Sequence, residues 1–193
     1  CQCTNKKRII WAPHPSIHEN SPMHCGTFLE NYDFMLEMAQ KYSDKVQFAL
    51  KPHPALQKQL ETLWTHKEVE AYWQKWRDMD NCQVETGEYI SLFKYADAMI
   101  HDCASFNIDS LYMGWPVMFI KRDCYNPETE MCELALMAHR QSYIAKCKED
   151  IEQFIQNVIN GIDERKDERK EFYNKYLLPP NGKSASENII DAI

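Results

Sequence analysis

Two short apolar runs with a helical segment between them most strongly constrain what this chain can fold into. The runs cover residues 97–101 and 116–120, and residues 105–113 between them have the composition of a helix. A turn of only three residues, 102–104, joins the first run to that helix. Short apolar runs that alternate with helices are typical of parallel strands buried on both faces. This stretch therefore predicts a strand–helix–strand unit.

The same alternation extends over the rest of the chain. Strands are predicted at 8–12, 45–50, 82–85, 97–101, 116–120 and 142–146, and helices at 27–42, 55–64, 67–79, 89–95, 105–113, 130–140, 149–160, 163–178 and 184–193. Thr27 and Glu30 have the spacing of a capping box at the start of the first helix. The pattern predicts an α/β fold with a Rossmann-like, mostly parallel sheet and helices on both faces. With 193 residues, 44% of them hydrophobic, the chain is expected to form one domain, 1–193.

Composition excludes several classes of function. A net charge of −7 argues against nucleic acid as a partner, because a nucleic-acid binder needs a basic face. No run approaches the ~18 apolar residues of a membrane span. The eight cysteines show no CxxC pair, so we expect reduced thiols of a cytoplasmic protein. The glycine-rich motifs of nicotinamide and P-loop nucleotide sites are absent, and neither a cofactor nor a metal is expected.

Two histidines flanked by prolines follow the first two predicted strands. His14 lies in Ala-Pro-His-Pro and His53 in Lys-Pro-His-Pro, and the prolines hold both segments extended. Each imidazole could act as a general base or donate to phosphate oxygens. Each could also be a loop histidine that only bonds a nearby carbonyl. Lys51, just before His53, could neutralise phosphate charge or lie at a solvated strand end.

The turn after the 97–101 strand carries further candidates. Asp102 could accept a hydrogen bond from a ligand hydroxyl, orient His14 or His53, or bond local backbone amides. Ser105 stands where a helix begins, so its side chain and the free amides of the first helical turn suit a phosphate. Asp109 lies one helical turn later on the same face and could bond a ribose or base, or face solvent.

Four segments resemble, in content and order, the CDP-glycerol glycerophosphotransferase family. They are IIWAPHPSI, FALKPHPAL, GEYISLFKYADAMIHDCASFNIDSLYMGWPVMFI and the terminal NGKSASENIIDAI. The most specific element is Asp-x-x-Ser-x-x-x-Asp, formed by Asp102, Ser105 and Asp109, and the proline-flanked His53 is next. The family contains the teichoic-acid-type polymerases and their relatives in bacterial surface-polysaccharide biosynthesis.

The resemblance implies two Rossmann-like halves that face a cleft, as in GT-B glycosyltransferases. This chain resembles the C-terminal, donor-binding half. A Trp-His-Gly element with another catalytic histidine is expected in the missing N-terminal acceptor half, so we expect this chain not to turn over alone. Two positions depart from the family pattern. Ala104 and Ser105 replace two consecutive serines, and Pro13 and His14 stand where the family often has Pro-Thr.

The resemblance also implies roles for individual residues. The predicted catalytic groups are His53 and His14, and the predicted substrate-binding groups are Lys51, Asp102, Ser105, Phe106, Asn107 and Asp109. The Asp-x-x-Ser-x-x-x-Asp residues would hold the nucleotide diphosphate and the alditol. Amides of the helix tip, together with His53 and Lys51, would offset charge on the phosphate oxygens.

The implied activity is transfer of an alditol phosphate from CDP-glycerol or CDP-ribitol to a hydroxyl of a surface polymer or glycan. The acceptor would be a polysaccharide or lipid-linked, and the location cytoplasmic, with peripheral association at the inner face of the plasma membrane through the missing half. Two alternatives remain open. One is a GT-B glycosyltransferase that uses a nucleotide sugar, which needs the same diphosphate site. The other is a non-catalytic nucleotide-binding module, against which the joint retention of His14, His53, Asp102 and Ser105 argues.

Overall fold

A six-stranded parallel sheet forms the centre of the molecule. The structure, a computed structural model, describes residues 6–21, 23–179 and 181–193. The strands are β1 (Lys7–Ala12), β2 (Val46–Leu50), β3 (Cys82–Val84), β4 (Ala98–His101), β5 (Val117–Ile120) and β6 (Tyr143–Ala145). Their order is β3-β2-β1-β4-β5-β6, and all five pairings are parallel. The predicted Rossmann-like α/β fold is thereby confirmed.

Helices connect the strands and cover both faces of the sheet. They are α1 (Phe28–Lys41), α2 (Leu56–Leu60), α3 (His66–Arg77), α4 (Ile90–Tyr95), α5 (Ser105–Met113), α6 (Pro127–Glu130), α7 (Glu133–His139), α8 (Lys148–Asn160), α9 (Lys166–Phe172) and α10 (Ala185–Asp191), with a π-helical turn at Tyr173–Leu177. Among the described residues, none of the helices combines the length and the apolarity needed to cross a membrane.

Side chains of β1 show how the sheet is buried on both faces. Ile9 and Trp11 project to one face and Ile10 and Ala12 to the other, and all four are at most 2% exposed. On the first face, which α1, α3 and α8 cover, Trp11 stacks on Phe28 with ring centroids 5.6 Å apart. A parallel sheet needs this double cover, which explains why its strands are continuous apolar runs.

An aromatic cluster on the second face positions the start of α5. Phe93 of α4 packs against Trp115, with ring centroids 5.8 Å apart, and against Phe106 of α5, with centroids 5.3 Å apart. Tyr89 lies against Phe106 at 5.8 Å. These contacts hold the first turn of α5 at the end of β4.

Two predicted helices differ in the structure. The 130–140 helix is shortened to α7, because Met131 is extended, and the separate turn α6 precedes it, capped by Asn126, which accepts from the Glu128 amide at 3.2 Å. The 163–178 helix becomes α9 and the π-helical turn. Asp163 stays outside α9, since its carboxylate accepts hydrogen bonds from Tyr143, at 3.0 Å, and from Arg169.

The cysteines that the structure describes are free thiols. They are Cys25, Cys82, Cys103, Cys124, Cys132 and Cys147. Cys1 and Cys3, which the sequence also predicts to be reduced, lie outside the described residues.

Candidate functional site

Loops after β1, β2 and β4 meet at one edge of the sheet, which we call the carboxyl edge. Because α1 and α5 lie on opposite faces, the neighbouring strands β1 and β4 form a topological switch point, where such sheets bind ligands. His14 follows β1, His53 follows β2, and their ring centroids lie 5.4 Å apart. The His53 amide donates to the Pro13 carbonyl at 3.1 Å and ties the two loops together. The structure thus brings the two proline-flanked histidines side by side.

His53 presents its ring at the surface with one nitrogen already occupied. The Ala55 amide donates to His53 Nδ1 at 3.1 Å. Because an amide can only donate, Nδ1 is an acceptor and the neutral ring carries its proton on Nε2. Partial burial, and then the charge of Lys51, lower the pKa of His53. At neutral pH this histidine therefore offers an N–H donor rather than a positive charge.

His14 is half-buried and has a comparable arrangement. Its Nδ1 lies 2.8 Å from the Ser16 hydroxyl oxygen and 3.4 Å from the Ser16 amide nitrogen. Burial, reinforced by the neighbouring His53, lowers the pKa of His14 to about 4. The ring is consequently neutral at pH 7, and its Nε2 is the nitrogen left for a ligand.

Asp102 lies beneath the two histidines and binds backbone rather than imidazole. It is 1% exposed, and its Oδ1 accepts from the His14 amide at 2.7 Å. Its Oδ2 accepts from the Thr27 amide at 2.6 Å and from the Thr27 hydroxyl at 2.9 Å. Burial raises the pKa of Asp102 to about 7, against the opposite effect of these hydrogen bonds. Of the possible roles of Asp102, the geometry shows one: its carboxylate holds His14 in place through the His14 backbone amide.

The capping box predicted from Thr27 and Glu30 is wrong. Thr27 makes no side-chain cap to α1, because its hydroxyl donates to Asp102, 75 positions away in the chain. Glu30 instead pairs with Arg122, with 3.0 Å between Oε1 and Nε. Thr27 thereby joins the start of α1 to the end of β4 and fixes the spacing of the site loops.

The tip of α5 also lies at the carboxyl edge. Ser105 is exposed, does not cap the helix, and places its hydroxyl 2.9 Å from Cys103 Sγ. Burial raises the pKa of the Cys103 thiol, against the effect of the Ser105 and Phe106 amides that face its sulfur. The Asn107 amide donates to the Ala104 carbonyl at 3.2 Å. In the first turn of α5, the Ser105 and Phe106 amides thus face the Cys103 sulfur, and the Asn107 amide is used within the helix.

The other predicted site residues lie at different depths. Lys51 is 6% exposed, below His53. Asn107 is 1% exposed in the interior, whereas Asp109 is half-buried on α5. The side chain of Phe106 packs in the aromatic cluster. Of the predicted residues, His14, His53 and Ser105 thus have side chains that a ligand at the carboxyl edge can touch directly.

Sequence reasoning missed a group of residues that surround His14. Besides its contact with His14, the Ser16 hydroxyl accepts from the Gly26 amide at 3.0 Å. A Cβ on Gly26 would lie 2.9 Å from the carbonyl oxygens of His14 and Ser16. Cys25 Sγ lies 3.6 Å from His14 Nδ1. In the sequence, only Ser16 in Pro-His-Pro-Ser and Gly26 before the first helix pointed to this group. Their contact could not be predicted, because it depends on the fold.

A cleft of about 390 Å³ adjoins the site beside β5 and β6 and includes Thr27 in its wall. Its basic residues are Lys121, Arg122, Lys146 and Lys148, and its acidic residues are Glu19, Glu30 and Asp123. A larger cleft of about 500 Å³ runs along β1, β2, β3 and α4, and none of the predicted site residues lines it. Of these two clefts, the smaller one adjoins the carboxyl edge through Thr27.

Comparisons with known proteins agree with the α/β fold. The family model of the CDP-glycerol:poly(glycerophosphate) glycerophosphotransferases matches residues 5–193. No curated protein matches the sequence.

Solved structures share the fold at low sequence identity. One variant of the wall teichoic acid polymerase TagF has a TM-score of 0.60 and 18% identity over 98% of this chain and 43% of its own. Another TagF variant has a TM-score of 0.57 and 17% identity over 97% and 43%. The UDP-GlcNAc 2-epimerase of Methanocaldococcus jannaschii in complex with UDP-GlcNAc and UDP has a TM-score of 0.52 and 16% identity over 83% and 40%. The chain thus spans about two fifths of the length of these proteins.

Proposed function

The chain belongs to the CDP-glycerol:poly(glycerophosphate) glycerophosphotransferase family, and on this premise we propose that it binds a CDP-activated alditol and transfers the alditol phosphate to an acceptor hydroxyl. One observation carries the proposal. The ring centroids of His14 and His53 lie 5.4 Å apart at the carboxyl edge, where the tip of α5 also lies; Nδ1 of each ring is occupied, and Nε2 of neither has a partner among the described residues. Such a set of neutral N–H donors suits the oxygens of a diphosphate.

The reaction is in-line attack of the acceptor hydroxyl on the β-phosphorus of CDP-glycerol or CDP-ribitol. The new P–O bond forms as the bond to the CMP oxygen breaks, and CMP leaves with the electron pair. Negative charge grows on the phosphate oxygens, and donors already in place stabilise it without reorganising. His53 and His14 contribute N–H groups, and the Ser105 and Phe106 amides add the partial positive charge of a helix tip. The acceptor proton goes to a base outside this pair, since both Nδ1 atoms accept from protein groups.

We infer the partners and the location from the same premise. A nucleotide donor is supported by the shared fold of the epimerase solved with UDP-GlcNAc and UDP. The acceptor is a polysaccharide or a lipid-linked polymer of the bacterial cell surface, by analogy with the wall teichoic acid polymerase TagF. A lipid-linked acceptor requires the complete protein to work close to a membrane, and we propose that it does so in the cytoplasm, at the inner face of the plasma membrane.

The first test replaces His53 by Ala in the full-length protein. Losing one preorganised donor should lower kcat on the order of 100-fold or more, while the circular dichroism spectrum stays unchanged. His66→Ala is the matched control, because the side chain of His66 is 72% exposed at the start of α3 and forms an ion pair with Glu61. Near-wild-type transfer by the His53→Ala enzyme would refute the assignment.

Calorimetry on the 193-residue chain separates the possible donors. CDP-glycerol and CDP should bind, and UDP and UDP-sugars should bind more weakly. Preference for a UDP-sugar would favour the glycosyltransferase alternative, and absence of binding to all four would contradict a donor site on this chain. We also expect no turnover from this chain alone, since the neighbours that share its fold are more than twice as long.

A further inference from the structure

Ser16, Cys25 and Gly26 form a small hydrogen-bond network at Nδ1 of the His14 ring. Ser16 is 7% exposed, and its Oγ lies 2.8 Å from His14 Nδ1. The Gly26 amide donates to the same oxygen at 3.0 Å, and Cys25 Sγ lies 3.4 Å away. Because the Gly26 amide supplies its own proton to Oγ, the single proton of the Ser16 hydroxyl is free to point elsewhere.

His14 Nδ1 is the acceptor best placed for the proton of the Ser16 hydroxyl. His14 Nδ1 is the nearer atom, and the Ser16 amide faces the same nitrogen at 3.4 Å. Two donors from one residue therefore converge on Nδ1. The alternative partner, Cys25 Sγ, is a weak acceptor, and burial keeps Cys25 a thiol by raising the pKa to about 12.

We propose that Ser16 is a positioning residue that fixes His14 in the tautomer with its proton on Nε2 and turns that N–H toward the carboxyl edge. The inference rests on the proposed function for what the N–H meets, a phosphate oxygen of the donor. The nitrogen that carries the proton in a neutral imidazole is set by the hydrogen bond at the other nitrogen. A serine hydroxyl held by a backbone amide sets it without adding charge.

Gly26 makes the network possible. A Cβ at this position would lie 2.9 Å from both the His14 and the Ser16 carbonyl oxygens. Only a glycine allows the start of α1 to approach the His14 loop closely enough for its amide to reach Ser16 Oγ. The Asp102–Thr27 hydrogen bonds fix the same two segments from the other side. Ser16 orients the ring while Asp102 holds the backbone.

The test reads the tautomer directly. Full-length protein with ¹⁵N-labelled histidine is studied by NMR at neutral pH, with the His14 signals assigned by their loss in a His14→Gln variant. In the wild type, Nε2 should be protonated and Nδ1 unprotonated. The Ser16→Ala variant loses the 2.8 Å hydroxyl contact and keeps only the longer amide contact at 3.4 Å, so it should show a mixture of the two neutral tautomers. A wild-type His14 protonated on Nδ1 would overturn the proposal without any variant, and so would an unchanged tautomer in Ser16→Ala.

Kinetics then connect the tautomer to function. Ser16→Ala should lower kcat about 10-fold or more, with the Kd for CDP-glycerol changed less than about 3-fold, because the N–H matters most where charge develops. Ser142→Ala is the matched control, a buried serine whose hydroxyl has no partner among the described residues, and it should leave kcat and the His14 tautomer unchanged. An equal loss of kcat in both variants would reduce Ser16 to a packing role. If the wild type neither binds nor turns over CDP-glycerol while the tautomer result stands, the proposed function fails and the orienting role of Ser16 remains.

Discussion

Burial is the main cause of the lowered pKa of both His14 and His53, and only the neighbouring charge that adds to it differs. Burial lowers the pKa of His14 to about 4, with help from His53, whereas partial burial and then Lys51 act on His53. Both rings are therefore neutral at pH 7. A cationic pair would attract a diphosphate more strongly but would repel itself at 5.4 Å. Two neutral donors avoid that repulsion and still supply N–H groups to phosphate oxygens, which favours the donor role over the general base.

Asp102 provides the prediction at this scale. Asp102→Asn keeps the shape but replaces one carboxylate oxygen by an NH₂ group. That group would face a donor, either the His14 amide or the Thr27 amide and hydroxyl. We expect a loss of ~1–3 kcal/mol in the free energy of unfolding, the usual cost of an unsatisfied buried group. The replacement also removes a charge whose burial opposes folding above pH 7, so urea denaturation at about pH 4, where the Asp102 carboxyl is protonated in the folded chain, measures the loss of the hydrogen bonds.

Asp123→Asn is the control for that measurement. Asp123 is exposed in the loop after β5, and its replacement should leave the free energy of unfolding within about 0.5 kcal/mol of the wild type. If Asp102→Asn were as stable as this control, the carboxyl group would not be holding the His14 loop.

At the scale of elements, the sequence predicts what local chemistry decides. Helix α5 begins at Ser105 and ends at Met113 as predicted, because an apolar strand and a turn precede it and Gly114 ends it in a left-handed conformation. Thr27 could not be predicted in the same way. Its local signal is a helix cap, but Asp102 competes for its hydroxyl, and that partner is known only once β1 and β4 are paired.

The candidate site also has features that the sequence predicts and features that only the fold determines. The meeting of His14 and His53 follows from the sequence, because the carboxyl ends of neighbouring parallel strands lie at one edge of the sheet. The burial of Asp102 and the contact between Ser16 and Gly26 do not follow. Both depend on how closely the start of α1 approaches the loop after β1, and a single sequence carries no measure of that distance.

Two glycines at element boundaries should respond differently to alanine. Gly114 has a φ of 76° and nothing within 4 Å of an added Cβ, so Gly114→Ala costs only backbone strain. We expect about 1–2 kcal/mol less stability and unchanged transfer activity. Gly26→Ala would push a methyl group against two backbone oxygens, so the His14 loop must move. Its kcat should fall at least about 10-fold.

Thermal unfolding and transfer kinetics on both variants make the comparison. The informative quantity is the ratio of lost activity to lost stability, which should be much larger for Gly26→Ala than for Gly114→Ala. Equal ratios would mean that the close approach at Gly26 serves folding alone.

At the scale of the whole molecule, buried groups whose pKa values are shifted in opposite directions make stability depend on pH. Burial lowers the pKa of His101 and of His139 to about 4, and Phe119 lies between them with ring centroids 5.6 and 4.5 Å away. Between pH 6.5 and 4, the two histidines are protonated in the unfolded chain but remain neutral in the folded chain. The stability contributed by neutral histidines is therefore complete above pH 6.5 and is lost as the pH falls through 4. Asp102 acts in the opposite sense, because its raised pKa favours the folded state in acid and this advantage is lost as the pH rises through 7.

A double difference isolates the share of His101 from these opposing contributions. His101→Leu removes the titrating ring from a fully buried position on β4 while keeping an apolar side chain of similar size. The loss in the free energy of unfolding from about pH 7.5 to about pH 5 should be ~2 kcal/mol smaller in the variant than in the wild type. Asp102 contributes equally to both proteins and cancels. Urea denaturation of both proteins at both pH values gives the four free energies of unfolding that the comparison needs. If both proteins lost the same stability in acid, His101 would be protonated in the folded state at about pH 5. The folded protein would then carry a buried charge beside Phe119, which contradicts the expected cost of burying it.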